Sequence, residues 1–195
     1  MNYDELTADH KDSLKELLNI SMGRAACKLA TMLSNEVTLT IPAVDMASPE
    51  ELMKMFGDAT QYYYTRQPFF GSMSGEVITQ LTKKGGKTIA GNLLDLAEED
   101  GIDTVDINCS ILEVSNILSG ASLRGLCEQI ELDTRTQPPV MYSPEDHPIP
   151  SDKWSQAIIL HVSFLVESAS FETKTIICFA EDGFNVVVHA LDEFI

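Results

Sequence analysis

Two glutamates, each followed three positions later by an asparagine, stand out in this chain: Glu16 with Asn19, and Glu113 with Asn116. Pro42 lies 23 residues after Asn19 and Pro139 lies 23 residues after Asn116, so all three pairs of equivalents share one offset of 97. A lone Glu-x-x-Asn carries no information. Three coincidences at one offset, each opening a small-residue run (LKELLNISMGRAA and SILEVSNILSGAS), indicate an internal duplication. On a helix, positions i and i+3 are neighbours. The carboxylate can grip a cation on a partner, and the amide both donates and accepts hydrogen bonds, so it can hold a water in a chosen orientation. Neither residue is a nucleophile in this setting.

The elements that must position these residues follow from periodicity. Residues 7–34 read as a helix capped at Thr7 or Asp9, with Leu14, Leu17, Leu18, Ala25, Leu29 and Met32 or Leu33 at helical spacing. Asp12, Glu16, Asn19 and Gly23 stack along one face away from the leucines, and Gly23 with the alanines makes that face shallow enough for close approach of another protein. Val37 to Val44 reads as a strand that Pro42 places at an edge or bulge. Ser48 and Pro49 open a short helix to about Phe56. Strands are expected over 61–70 and 73–81 and a helix over 83–96, with the Gly85-Gly86 pair too incomplete for a P-loop. Glu98 to Asp103 reads as an acidic connector. The second half repeats the order: a helix over 106–128 with Asp106 as its cap, a Pro-containing strand over 137–142, a loop over 143–153, strands over 156–167 and 173–181 joined by a Ser-rich turn, and a closing helix over 183–194. The expected fold is α+β, one pseudo-symmetric domain over 1–195 made of half-repeats 1–100 and 101–195, with an antiparallel sheet packed against two long helices.

Composition narrows the function. With 30 acidic against 13 basic residues the formal charge is −17, which disfavours nucleic acid and anionic membrane surfaces. The four cysteines, at 27, 109, 127 and 178, form no Cys-x-x-Cys pair and the four histidines are scattered, so neither a zinc site nor a disulfide framework is expected. The polar, acidic N-terminus does not read as a signal peptide, and no run reaches the length of a membrane span. Reduced thiols and a cytoplasmic setting are the expectation.

Asp12-x-x-x-Glu16-x-x-Asn19, then 22 residues, then Pro42, resembles the signature of the CheC/CheX/FliY phosphatases of bacterial chemotaxis, in which the first position is Asp or Ser. The second copy matches at Glu113, Asn116 and Pro139 and departs at Cys109. Two copies in a chain of this length resemble CheC most within that family. The resemblance implies a CheC-like fold and hydrolysis of the aspartyl phosphate of a CheY-type response regulator. In that role Asn19 and Asn116 orient the attacking water, and Glu16 and Glu113 contact the receiver's active-site lysine. Asp12 and Cys109 flank the contact, and Pro42 and Pro139 support it. No cofactor of its own is implied, since the receiver would bring Mg²⁺; positioning and charge stabilisation supply most of such catalysis. Cys109 itself reads as a small half-buried residue rather than a catalytic thiol, and Ser110, turned about 100° round the helix, cannot substitute.

Two other classes compete. A non-catalytic module that binds a response regulator or the deamidase CheD would resemble the FliM middle domain, which lacks the Glu/Asn pairs and sits between a CheY-docking peptide and a switch domain, neither expected here. A small-molecule sensor with a cleft between the halves has no ligand fingerprint, and the Tyr62 to Tyr64 cluster reads as strand surface and core.

Overall fold

The computed structural model describes residues 5–56, 60–95, 101–146, 153–166 and 169–194. Helix α1 (Ala8–Leu33) is capped by Thr7, whose hydroxyl accepts the His10 N–H at 3.2 Å. His10 returns the bond: its Nδ1 accepts the Thr7 N–H, so Nε2 carries the ring proton and donates to Asp192 at 2.8 Å. Of the two caps the sequence offers, Thr7 is the one used, with the His10 ring three residues later closing the box.

Strand β1 (Val37–Ala47) and helix α2 (Pro49–Met55, capped by Ser48) follow, then β2 (Tyr62–Gly71), β3 (Gly75–Thr82) and α3 (Lys83–Leu94). The Gly85-Gly86 pair serves packing. A Cβ on Gly86 would lie 2.8 Å from the Tyr63 ring, so only glycine lets α3 sit this close to β2. The second half begins with α4 (Thr104–Ser119), passes through one π-helical turn (Gly120–Arg124), and continues as α5 (Gly125–Gln129). Short strands β4 (Thr134–Thr136) and β5 (Val140–Tyr142) precede β6 (Gln156–Val166), β7 (Ala169–Phe179) and α6 (Gly183–Phe194).

Five expectations are corrected. Asp103, not Asp106, caps α4, its carboxylate accepting the Val105 N–H at 2.6 Å; Asp106 falls in the first turn, where its side chain is too late to cap. The second long helix is not uniformly α, because the π turn inserts after Ser119. The strand expected over 137–142 is split, since Pro138 and Pro139 on one side and Pro68 on the other supply no N–H to a ladder. β3 begins at Gly75, two residues later than Met73, and β7 begins at Ala169, four residues before Thr173. The acidic connector at 98–100, the loop core at 147–152 and the turn at 167–168 lie outside the described residues.

The strands form one antiparallel sheet in the order β1-β6-β7-β3-β2-β4, with β5 also paired to β2. Exchanging each strand of one half for its counterpart in the other, β1 for β4/β5, β2 for β6 and β3 for β7, reverses this order and leaves it unchanged. The central strands read as continuous apolar runs because both faces are covered. In β7, Ile177 and Phe179 face the main core under the long helices, while Ile176 and Cys178 face a smaller core with Leu52 of α2, Tyr64 and Trp154. The main core unites Leu14, Leu18 and Leu29 of α1 with Ile111, Val114 and Leu118 of α4, so the apolar stripes of both long helices are consumed and their opposite faces turn outward.

Candidate functional site

The outward face of α1 carries Asp12 and Glu16, both exposed, and Asn19, half-buried. That of α4 carries Cys109, Glu113 and Asn116, all exposed. Cys109 is therefore not the half-buried residue expected; it lies one turn before Glu113 on the solvent face, while Ser110 turns inward and its Oγ donates to the Asp106 carbonyl at 2.8 Å. Gly23 stands in open space, but its equivalent Gly120 begins the π turn, so the shallow face is not duplicated.

Asn19 is tied down by the proline-bearing segment that follows it, and Asn116 by a side chain anchored to its own such segment. Asn19 Oδ1 accepts the backbone N–H of Ile41 at 2.8 Å, and its Nδ2 donates to the Lys15 carbonyl at 2.8 Å. Ile41 and Pro42 form a bulge: Thr40 pairs with Ser163 and Ala43 with His161, leaving two residues opposite Val162. The bulge sits on the edge strand, where an N–H aimed away from β6 meets α1 instead of another strand.

The second copy has the same one-residue surplus. Phe69 pairs with Thr136 and Arg66 with Val140, so residues 137–139 stand opposite Gln67 and Pro68. Here Asn116 Oδ1 accepts from Gln67 Nε2 at 3.0 Å, and the same nitrogen donates to the Gln137 carbonyl at 2.7 Å. The Gln137 N–H in turn donates to the Pro68 carbonyl at 3.0 Å. Both asparagines thus turn the carbonyl inward. What remains for a visitor is the Nδ2 hydrogens not otherwise engaged and the second lone pair of each Oδ1.

A cleft of about 640 Å³ opens beside Asn116, between α1 and the π turn, with Arg24, Lys28, Arg124 and Glu128 on its walls. Among the described residues no ion pair engages the three cations, so the cleft has a positive local field in a chain of net charge −17. Close approach of the helices at its floor depends on Gly125, whose added Cβ would fall 2.6 Å from Ser21 Oγ.

Three residues escaped the sequence reading. Ile20 is 49 % exposed and Ile117, its equivalent at offset 97, is half-buried, giving each asparagine an apolar neighbour. The repeated Glu-x-x-Asn-Ile would have revealed them. Gln67 left no comparable signal. Among the described residues no group of His, Cys, Asp and Glu is arranged to hold a metal ion, and no helix is long and apolar enough to cross a membrane.

A family model described as chemotaxis phosphatase CheX matches residues 63–163, more than half of the chain, and the chain belongs to that family. The matched span runs from β2 to β6 and contains Gln67, Glu113, Asn116 and Pro139; Glu16, Asn19 and Pro42 precede it. The structure is similar to that of Thermotoga maritima FliY, at 18% sequence identity and a TM-score of 0.76, over 96% of this chain and 98% of that one. It is similar to the FliM middle domain from H. pylori at 10% identity and a TM-score of 0.63, over 95% and 99%. A chain of the CheX-CheY-BeF3-Mg²⁺ complex from Borrelia burgdorferi matches at 17% identity and a TM-score of 0.51, over 83% and 97%. These likenesses establish a shared fold; the nearer likeness to CheC expected from the two copies is not shown by them.

Proposed function

We propose that this protein accelerates hydrolysis of the aspartyl phosphate on a CheY-type response regulator, with two sites in a CheC-like arrangement. The observation that carries the reading is the way each asparagine is fastened: the carbonyl is held inward, by the Ile41 N–H at Asn19 and by Gln67 at Asn116, and the amide faces outward beside an exposed glutamate in a chain of a chemotaxis phosphatase family. Glu16 or Glu113 pairs with the receiver's active-site lysine. Asn19 or Asn116 then holds a water in line with the phosphorus. The water oxygen bonds to phosphorus as the bond to the aspartyl oxygen breaks, the carboxylate departs, and both protons of the water leave with inorganic phosphate as dihydrogen phosphate. The receiver's own Mg²⁺ stabilises the charge. A tenfold acceleration needs about 1.4 kcal/mol of transition-state stabilisation, within reach of one oriented amide.

The FliM likeness favours a second reading, a non-catalytic module that binds a response regulator or CheD. The lifetime of a phosphorylated CheY-type receiver in Mg²⁺ separates the two. Faster loss of phosphate, abolished by Asn19→Ala with Asn116→Ala together, is the expected result. An unchanged lifetime with binding intact would replace the phosphatase by the binding module.

A further inference from the structure

The offset that pairs Pro42 with Pro139 pairs Ile41 with Pro138. Asn19 is held by the N–H of Ile41. Proline has no N–H, so the bond that orients Asn19 is chemically unavailable to Asn116. We infer that Gln67 replaces it, and is the positioning residue of the second site.

The geometry leaves one orientation for the amides concerned. Gln67 is 1% exposed and reaches out from β2 opposite the break between β4 and β5. The Gln137 carbonyl can only accept, so the atom of Gln67 at 2.7 Å from it is the donor Nε2. The same nitrogen lies 3.0 Å from Asn116, which must therefore present its oxygen. A backbone carbonyl fixes Gln67, and Gln67 fixes which end of Asn116 meets the partner. Both hydrogens of Nε2 are used in this relay. Gln67 Oε1 is buried and has no hydrogen-bond partner among the described residues, so every hydrogen bond the side chain makes there runs through its nitrogen. At the first site the backbone itself does this work. The two sites are thus built on different supports, and the second can be weakened without touching the first.

This inference rests on the phosphatase reading for its kinetic consequence but not for its geometry, and the test reads both. Gln67→Met keeps the length and removes the donor. In an Asn19→Ala background, where only the second site works, it should lower kcat about tenfold, equal to about 1.4 kcal/mol, with KM changed less than about twofold because Glu113 and the docking face are intact. In an Asn116→Ala background it should change neither constant. Gln67→Glu, which swaps the donor for an acceptor, should act in the same direction. Equal losses in both backgrounds would reveal general damage and overturn the inference. So would an unchanged kcat in the Asn19→Ala background while Asn116→Ala there abolishes activity. If the Asn19→Ala protein has no activity at all, the phosphatase reading of the second site fails, and the inference is then decided by the side-chain amide NMR signals of Asn116. Their displacement by Gln67→Met upholds it and their invariance overturns it.

Discussion

Asn19→Ala removes more than a proposed catalytic amide, and the structure sets the size of the effect. The Ile41 N–H now loses its acceptor at a residue only 1% exposed. A buried donor left unpaired costs about 1–3 kcal/mol. The second bond, from Nδ2 to the Lys15 carbonyl, is exposed and water replaces it. Alanine's better helix propensity returns about 0.5 kcal/mol, so the net loss is about 0.5–2.5 kcal/mol. Asn116→Ala differs. Gln67 keeps its bond to the Gln137 carbonyl, and because Asn116 is exposed, water can enter where its side chain was and accept the Gln67 hydrogen it leaves, so loss and propensity gain nearly cancel. Asn19→Asp retains an acceptor for Ile41 but sets a carboxylate oxygen against the Lys15 carbonyl, an exposed clash that water relieves, so it should cost less stability than Asn19→Ala while losing first-site activity. With an m-value of about 2 kcal/mol/M in urea, Asn19→Ala should lower the unfolding midpoint by about 0.3–1.3 M, and the other two by less. Equal midpoints for Asn19→Ala and Asn116→Ala would refute the asymmetric support of the two sites.

Three further outcomes are expected. Gly125→Ala, which drives a Cβ into Ser21, should destabilise the protein by about 1–2 kcal/mol despite its helix-propensity gain; a midpoint at or above wild type would show that α1 and α5 separate freely. A bulky maleimide on exposed Cys109, in a Cys27→Ser background, should block activity in the Asn19→Ala protein and spare it in the Asn116→Ala protein, while buried Cys127 and Cys178 stay unmodified until unfolding, as mass spectrometry would record. Burial first, and Glu128 second, push the Cys127 thiol up from 9.0 to about 12. Its raised value favours the fold below pH 9, where the thiol is protonated in both states, and that contribution is lost as pH rises from 9 towards 12. Urea midpoints measured across that window should fall, and less steeply for Cys127→Ala; parallel slopes would contradict this.

Much of the site was legible because it depends on short-range geometry. Glu16 and Asn19, like Glu113 and Asn116, lie within one helical turn, and the leucine stripe of each helix settles which face they occupy. Thr7 and Ser48 mark helix starts through bonds that span three residues, Pro49 does so through its fixed φ, and the aliphatic strands announce a sheet packed against the long helices. Local chemistry was already ambiguous where neighbours competed, as at Asp103 and Asp106, three residues apart and both able to cap. Cys109 is exposed because it lies one turn before Glu113 on the outward face, a position its own helix does report but that the usual burial of a thiol masked.

The sequence by itself determined the duplication, the paired carboxylate and amide, and the absence of an N–H at Pro138. Only the tertiary structure decided what answers that absence. Gln67 lies 49 residues from Asn116, and it reaches the asparagine because β2 is the strand against which both β4 and β5 register, with the proline break opposite it. Strand order and register are set by burying both faces of the whole sheet at once, under the long helices on one side and α2 on the other. A partner chosen by that global condition leaves no periodic trace at its own position in the chain.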